Sequence, residues 1–325
     1  MKVGALLLAA LLAMPSAAAA QDKRFDGANG WLNSPRPGAA ELRGKVVLVD
    51  FWTYTCINWL RTLPHVRAWS EKYKDHGLVV MGAHTPEFEF EKDADNVRRA
   101  VKDMRVTWTV AIDNEYAVWR AFGNNAWPAV YLVDAQGRIR YSHLGEGAYE
   151  RTEQMIQQLL AEAGVTGVPQ GLVTVQGDGV EAPADWASLK SPETYLGGTS
   201  PHKRVRGPAA RLSLNQWTLS GDWTSRRDAV ALTKPNGRIA LRFHARDVNL
   251  VMGPATRGTA VRFRVLIDGK PAGAAHGTDV DDQGSGTVTE QRLFQLIRQP
   301  GPISERTLEI EFLDRGIEAF AFTFG

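Results

Sequence analysis

Cysteine is nearly absent: the 325 residues hold one, Cys56. No disulfide can close within the chain, so burial and hydrogen bonding must hold the fold. The same count excludes zinc ribbons and iron–sulfur clusters built from the chain's own thiolates. A surplus of either charge is also missing. Lys and Arg number 38 against 36 Asp and Glu, net +2, which removes the whole-protein basic field of a nucleic-acid binder. The 7 histidines show no paired metal-ligand spacing, so no metal and no cofactor is assigned.

Long apolar runs are scarce too, with one at the amino end. Lys2 precedes an apolar stretch to Ala13, then Met14-Pro15-Ser16 and the alanines 17–20. A charged start, a short apolar core and a small-residue end read as a cleavable signal peptide over 1–20, cut after Ala20. A membrane anchor is the competing reading, because the run approaches the length of a span. No second stretch is long enough to cross a bilayer. The mature protein is therefore expected to be periplasmic or otherwise exported, with no membrane span after cleavage, where thiols meet oxidants. Loss of Lys2 leaves 37 basic residues (38 minus one) against 36 acidic, so charge still points to no partner.

What is present is ordinary globular material, 44% hydrophobic and 23% charged, of a length that calls for about two domains. Residues 21–44 are rich in Gly, Pro and Asn and read as an irregular lead-in. Lys45 to Trp52 is a nearly continuous apolar run of strand length, expected to be covered on both faces. Ile57 to Lys74 has helical spacing through Leu60, Leu63, Val66 and Trp69, with Pro64 inside it as a kink. Further strands are expected at 77–83, 108–112, 129–133 and 138–143, and helices at 90–104, 115–122 and 149–163. This alternation implies an α/β layer with a mainly parallel sheet over 21–164.

Residues 165–210 show no sustained period and read as a linker or wrap-around segment. From 211 to 325 the period is two: Ile239, Leu241 and Phe243; Val261 to Ile267; Leu308, Ile310 and Phe312; Phe320, Phe322 and Phe324. Asn236-Gly237 and Asp268-Gly269 are hairpin signals. The second domain is expected to be an all-β sandwich.

Cys56 lies where the strand ending at Trp52 runs into a helix. A cysteine in the first helical turn faces unpaired N–H groups and the positive end of the dipole. Both favour thiolate, so its pKa is expected to fall. A lone cysteine is otherwise more often a buried, inert thiol.

These residues resemble a known family. Val49-Asp50-Phe51-Trp52 with Cys56 resembles the active-site entry of the thioredoxin fold, and Trp127-Pro128-Ala129-Val130 resembles its cis-proline loop. Residues 42–58, Leu-Arg-Thr-Leu-Pro64 and Gly82-Ala-His-Thr-Pro-Glu-Phe88 are similar to the exported TlpA-like branch, above all to the soluble part of DipZ-type proteins. The likeness continues through Ser191 to Gly197, Trp217 to Trp223 and Ala319 to Gly325. It implies a thioredoxin fold followed by a β-sandwich that resembles carbohydrate-binding modules. It also implies thiol–disulfide exchange, with Cys56 as nucleophile, Asp50 as the buried carboxylate that handles the proton, and a cis Pro128 that aligns substrate backbone. One departure stands out. The family's Cys-x-x-Cys is Cys56-Ile57-Asn58-Trp59 here, so Cys56 can attack a disulfide but has no partner thiol to release the product.

The remaining candidates each carry two readings. Trp59 is either an apolar plug over the first helical turn or a ring offered, with Trp52 and Trp127, to a substrate. His84, at the carboxyl end of a strand, either tunes Cys56 or is a hydrogen-bonded loop histidine; Glu87 is a weaker candidate of that kind. Trp217 and Trp223 are core residues or sugar-stacking platforms. Asp279 to Gly286 is a solvated turn or a loop for calcium, without full calcium-loop spacing. The expected function is thiol–disulfide exchange by a monothiol, with a protein or small-molecule disulfide as substrate and an external thiol as reductant. A binding or scaffold protein of the cell envelope, its sandwich holding glycan or polypeptide, is the alternative. Peroxide chemistry at Cys56 and Cys56–Cys56 dimers are lesser possibilities.

Overall fold

The computed structural model describes residues 23–198 and 204–325; the expected signal peptide lies outside the described residues. The first half comprises β1 (Gly30–Leu32), α1 (Ala39–Leu42), β2 (Val46–Trp52), α2 (Ile57–Tyr73), β3 (Leu78–His84), α3 (Ala94–Asp103), β4 (Thr109–Ile112), α4 (Ala117–Phe122), β5 (Ala129–Val133), β6 (Ile139–Leu144) and α5 (Tyr149–Glu162). The strands form one six-stranded sheet in the order β1-β4-β3-β2-β5-β6.

β2 is buried along its whole length, as its unbroken apolar run predicts. Its alternation divides two cores. Val47, Val49 and Phe51 face Phe122 and Tyr131, while Val46, Leu48 and Trp52 face Leu60 and Leu63 of α2. Asp50 shares the parity of Leu48 and Trp52, so the pleat turns it under α2.

The mainly parallel sheet expected from the alternation is not what forms. β2, β3 and β4 run parallel, but β1, β5 and β6 are antiparallel to their neighbours. The tight turn at Asp134–Gly137 makes β5 and β6 a hairpin, and a two-strand hairpin is antiparallel by construction. The lead-in is also more ordered than its composition suggests: Gly30–Leu32 adds an edge strand on β4.

The second half is two antiparallel sheets facing each other. One has the strands Arg292–Arg298, Asp247–Pro254, Ile317–Phe324, Val230–Leu232 and Trp223–Ser225. The other has Lys270–Pro271, Val261–Ile267, Arg306–Phe312, Gly237–Phe243 and Trp217–Ser220. Between them lies a core that includes Phe243, Phe263, Phe294, Phe312 and Phe322. Asp268-Gly269 is the expected hairpin turn, with both residues at positive φ. Asn236-Gly237 is not. Val230–Leu232 and Gly237–Phe243 belong to different sheets, so this turn carries the chain across the sandwich. Within the stretch read as linker, Thr194–Tyr195 pairs with Phe322 and Ala321 and adds a strand to the first sheet.

The two halves share one core. In Ile317–Phe324 the pairing slips between Val251↔Ala321 and Met252↔Ala319, leaving Phe320 as an extra residue. Such a bulge turns a side chain out of the alternation. Phe322 and Phe324 stay in the sandwich core, whereas Phe320 joins the α2 core. Its ring lies 5.2 Å from that of Phe88 and 4.7 Å from that of Phe90. Arg257–Asp93 at 2.9 Å and Arg99–Glu290 at 2.6 Å bridge the same seam.

Because the seam is apolar and continuous, both halves should unfold together. Phe320→Ala is expected to lower stability by about 3–5 kcal/mol within a single urea transition. A loss below about 1 kcal/mol, or two separate transitions in the parent chain, would contradict a shared core.

Candidate thiol site

Register brings the site to one sheet edge. Trp52 pairs with His84 and Phe51 with Ala129, so the ends of β2 and β3 and the start of β5 are level. Cys56 follows β2 by a tight turn in which its N–H donates to the Thr53 carbonyl at 3.2 Å. It is the N-cap of α2, with extended backbone, and is partly buried. Pro128, just before β5, is cis as the family likeness implies.

Trp59 lies fully buried one turn into α2. Its ring stacks on Trp52, centroids 4.3 Å apart, and its indole N–H donates to Asp50 Oδ2 at 3.0 Å. Trp52 and His84 are fully buried as well. In place of the expected substrate platform, these three rings are buried in the core and packed on one another. Of the four residues expected to touch substrate, Trp127 alone is at the surface in part. It packs on Trp119 at 4.4 Å and donates its N–H to the Thr85 carbonyl at 3.1 Å.

The thiol's electrostatics differ from expectation. The backbone N–H groups of Trp59 and Asn58 do favour thiolate. They are outweighed by burial and by the carboxylate of Glu87, with Glu193 adding to it, so the Cys56 pKa stands well above its ordinary value. Helix N-termini lower a thiol pKa when water or cations share the space; here carboxylates share it. Burial lifts Glu87 to about 8, helped by Glu193 and Glu91. Tyr195, from the strand added by the connecting segment, donates its hydroxyl to Glu87 and lies 3.3 Å from Glu193.

Beneath them, burial raises Asp50 to about 7 against a smaller opposing effect of the Trp59 bond. His84 has neither ring nitrogen bonded, and burial pushes it down to about 3. It is a neutral ring packed on Tyr54 and Trp52, so a base role at neutral pH has no support in its surroundings.

Several structural supports were not singled out from sequence. Glu91 is fully buried, accepts the Thr55 hydroxyl at 2.6 Å and caps the N–H groups of Glu87 and Phe88 at 2.6 and 2.9 Å. It ties the turn before Cys56 to the turn after β3. Arg61 is 4% exposed; it pairs with Glu146 at 3.1 Å and donates to the Phe324 carbonyl at 2.8 Å. Arg61 works through contacts distant in sequence; Glu91 combines local caps with the distant bond to Thr55. In the sandwich, Trp217 is core, while Trp223 packs edge-on against Phe312. In the suspected calcium loop, Asp279 is taken by Arg292 and the Gln295 N–H, and Asp281 caps Ser285. Among the described residues no group of three or more metal-ligating side chains converges.

A mixed sheet, a cysteine capping the helix after its central strand and a cis-proline at the same edge define a thioredoxin-like protein. The chain carries two thioredoxin-like domains: residues 38–160 match Redoxin and residues 191–325 match the Thioredoxin like C-terminal domain. It is 36% identical over 315 residues to Protein DipZ of Mycobacterium tuberculosis and of Mycobacterium bovis, covering 92% of this chain and 42% of DipZ. The chain thus spans less than half the length of those relatives. Thiol-disulfide oxidoreductase YkuV of Bacillus subtilis is 27% identical over 136 residues, 42% of this chain and 91% of YkuV. Among solved structures, a thioredoxin-like protein in the oxidized form is 28% identical with a TM-score of 0.39, covering 42% of this chain and 91% of its own. In these matches the chain is similar to thiol–disulfide oxidoreductases. Among the described residues no helix is long and apolar enough to cross a membrane.

The Asp50 shift gives a signed prediction. Its folded pKa of about 7 lies above the ordinary 3.8, so between those values the folded chain holds a proton that the unfolded chain has lost. Stability contributed by the neutral carboxyl falls as pH rises through that window. Asp50→Asn keeps an acceptor for Trp59 and removes the titration. Relative to the parent, its stability should rise by about 2–3 kcal/mol between pH 5 and pH 8, measured by urea unfolding at both. A constant difference would mean that Asp50 does not titrate there.

Proposed function

We propose that this chain is an exported thioredoxin-like thiol–disulfide oxidoreductase that works as a monothiol through Cys56. The observation that carries the reading is the contrast between two positions of one helix. Cys56 caps it from a partly open site, while Trp59 at the resolving position is locked in the core and bonded to Asp50. In this reading Asp50 handles the thiol proton, the loop at Trp127 and Pro128 aligns the substrate backbone, and a protein or small-molecule disulfide is attacked. The thiolate of Cys56 forms a mixed disulfide and the displaced thiolate takes up the proton. With no second cysteine in the chain, an external thiol must then attack the mixed disulfide and restore Cys56. Export rests on the pattern of residues 1–20.

The raised Cys56 pKa favours a second reading. A thiol that stays protonated is a poor nucleophile, which suits a degenerate thioredoxin-like binding or scaffold protein whose sandwich engages polypeptide or glycan.

Kinetics separate the two. Under the monothiol reading, a small disulfide forms a 1:1 adduct with native chain, seen by intact mass. The adduct persists until dithiothreitol or glutathione is added. The pH profile of alkylation should have its midpoint above the ordinary thiol value of about 8.5. A native chain that forms no adduct, although urea exposes a reactive Cys56, would leave the scaffold reading; so would full function in a Cys56→Ser chain.

A further inference from the structure

The loop that leaves β3, residues 85–88, is tied to both of the loops that flank it at the sheet edge. On one side, the Trp127 N–H donates to the Thr85 carbonyl at 3.1 Å, which fastens the cis-proline loop. The Tyr116 hydroxyl donates to the Pro86 carbonyl, and the Thr85 hydroxyl donates to Asp113 Oδ2 at 3.2 Å. On the other side stands Glu91, fully buried. Its Oε2 accepts the N–H groups of Glu87 and Phe88 at 2.6 and 2.9 Å. Its Oε1 accepts the Thr55 hydroxyl at 2.6 Å, across 36 residues of sequence. Thr55 directly precedes Cys56, inside the turn that the Cys56 N–H closes on the Thr53 carbonyl. The two oxygens of one carboxylate therefore serve two elements. Capping the 85–88 loop needs only the first oxygen; the second is spent on the thiol turn, where Thr55 is buried too and has no water to fall back on.

We propose that Glu91 is a positioning residue for exchange at Cys56. It holds the thiol turn in register with the 85–88 loop, and through Thr85 with the loop of Trp127 and Pro128. The inference rests on the monothiol reading and names what sets its geometry. A thiolate attacks a disulfide at one sulfur and expels the other, so attacking, central and leaving sulfurs must line up. The separation of the Cys56 turn from the proline loop then decides the rate, and a displacement of about 1 Å can cost about a hundredfold. Alkylation by a small reagent asks less, since it needs the sulfur without an aligned partner. An amide at position 91 can keep both ties: its oxygen accepts the two N–H groups and its NH2 donates to the Thr55 oxygen.

The test uses the full chain, a disulfide-linked dimer of a blocked tripeptide, and iodoacetamide. Adduct formation at Cys56 is timed by intact mass at pH 8, each rate divided by that of the urea-unfolded chain. The quantity read is the normalised disulfide rate over the normalised alkylation rate. We expect Glu91→Ala to lower this ratio about tenfold or more, and Glu91→Gln to restore it to within about threefold of the parent. Thr55→Val removes the hydroxyl end of the tie alone. It should lower the ratio several-fold, and it decides the question if Glu91→Ala does not fold. A role confined to stability predicts lower urea midpoints with an unchanged ratio. That result, or a Glu91→Gln chain as impaired as Glu91→Ala, would overturn the positioning role and leave the monothiol reading intact. A parent chain that forms no disulfide adduct in the native state, although it does so in urea, would remove both.

Discussion

The bond from the Trp59 indole to the Asp50 carboxylate organises the site. Asp50 lies under α2 because β2 alternates, and a carboxylate buried there needs a donor. In a dithiol thioredoxin the residue at the position of Trp59 is the resolving cysteine. Here an indole fills that space, stacks on Trp52 and gives Asp50 its donor. One substitution therefore removes the second thiol and supplies a large core ring. It also packs the first turn of α2, whose N-cap is the partly buried Cys56.

The acidic groups around that sulfur come from separate elements. Glu87 comes from the turn after β3, held by Glu91; Glu193 and Tyr195 come from the segment that joins the sandwich edge. The sandwich is thus more than an appended module. Phe320 fastens its outer face to Phe88 and Phe90, and Arg61 fastens the chain's end to α2. Opposed influences act on the thiol: backbone N–H groups draw its pKa down, while burial and acidic side chains push it up and prevail.

Much of the architecture is legible in the sequence because it follows from local pattern. The apolar run of 46–52 can satisfy itself only between two layers. The alternation in 239–243, 261–267 and 308–312 admits strands with one buried face, and Asp268-Gly269 accepts the positive φ its turn requires. Pattern misleads where a partner decides the outcome. Phe320, Phe322 and Phe324 read as one face until a bulge rotates the first of them toward the other half. Asn236-Gly237 has the residues of a hairpin turn but joins strands that pair elsewhere. Trp52, Trp59 and His84 look equally fit for substrate contact or for core, since an aromatic ring serves both.

By itself the sequence determined the chemistry available: one sulfur at a strand-to-helix junction, no second thiol to resolve it, a carboxylate six residues before it and a proline loop to face it. Those are properties of residue type and short-range order. The tertiary structure alone decided how buried that sulfur is and which groups surround it. Burial and the influence of Glu87 and Glu193 depend on distances between segments separated in sequence, Glu193 lying more than a hundred residues from Cys56, and Coulomb interaction and desolvation are set by separation in space.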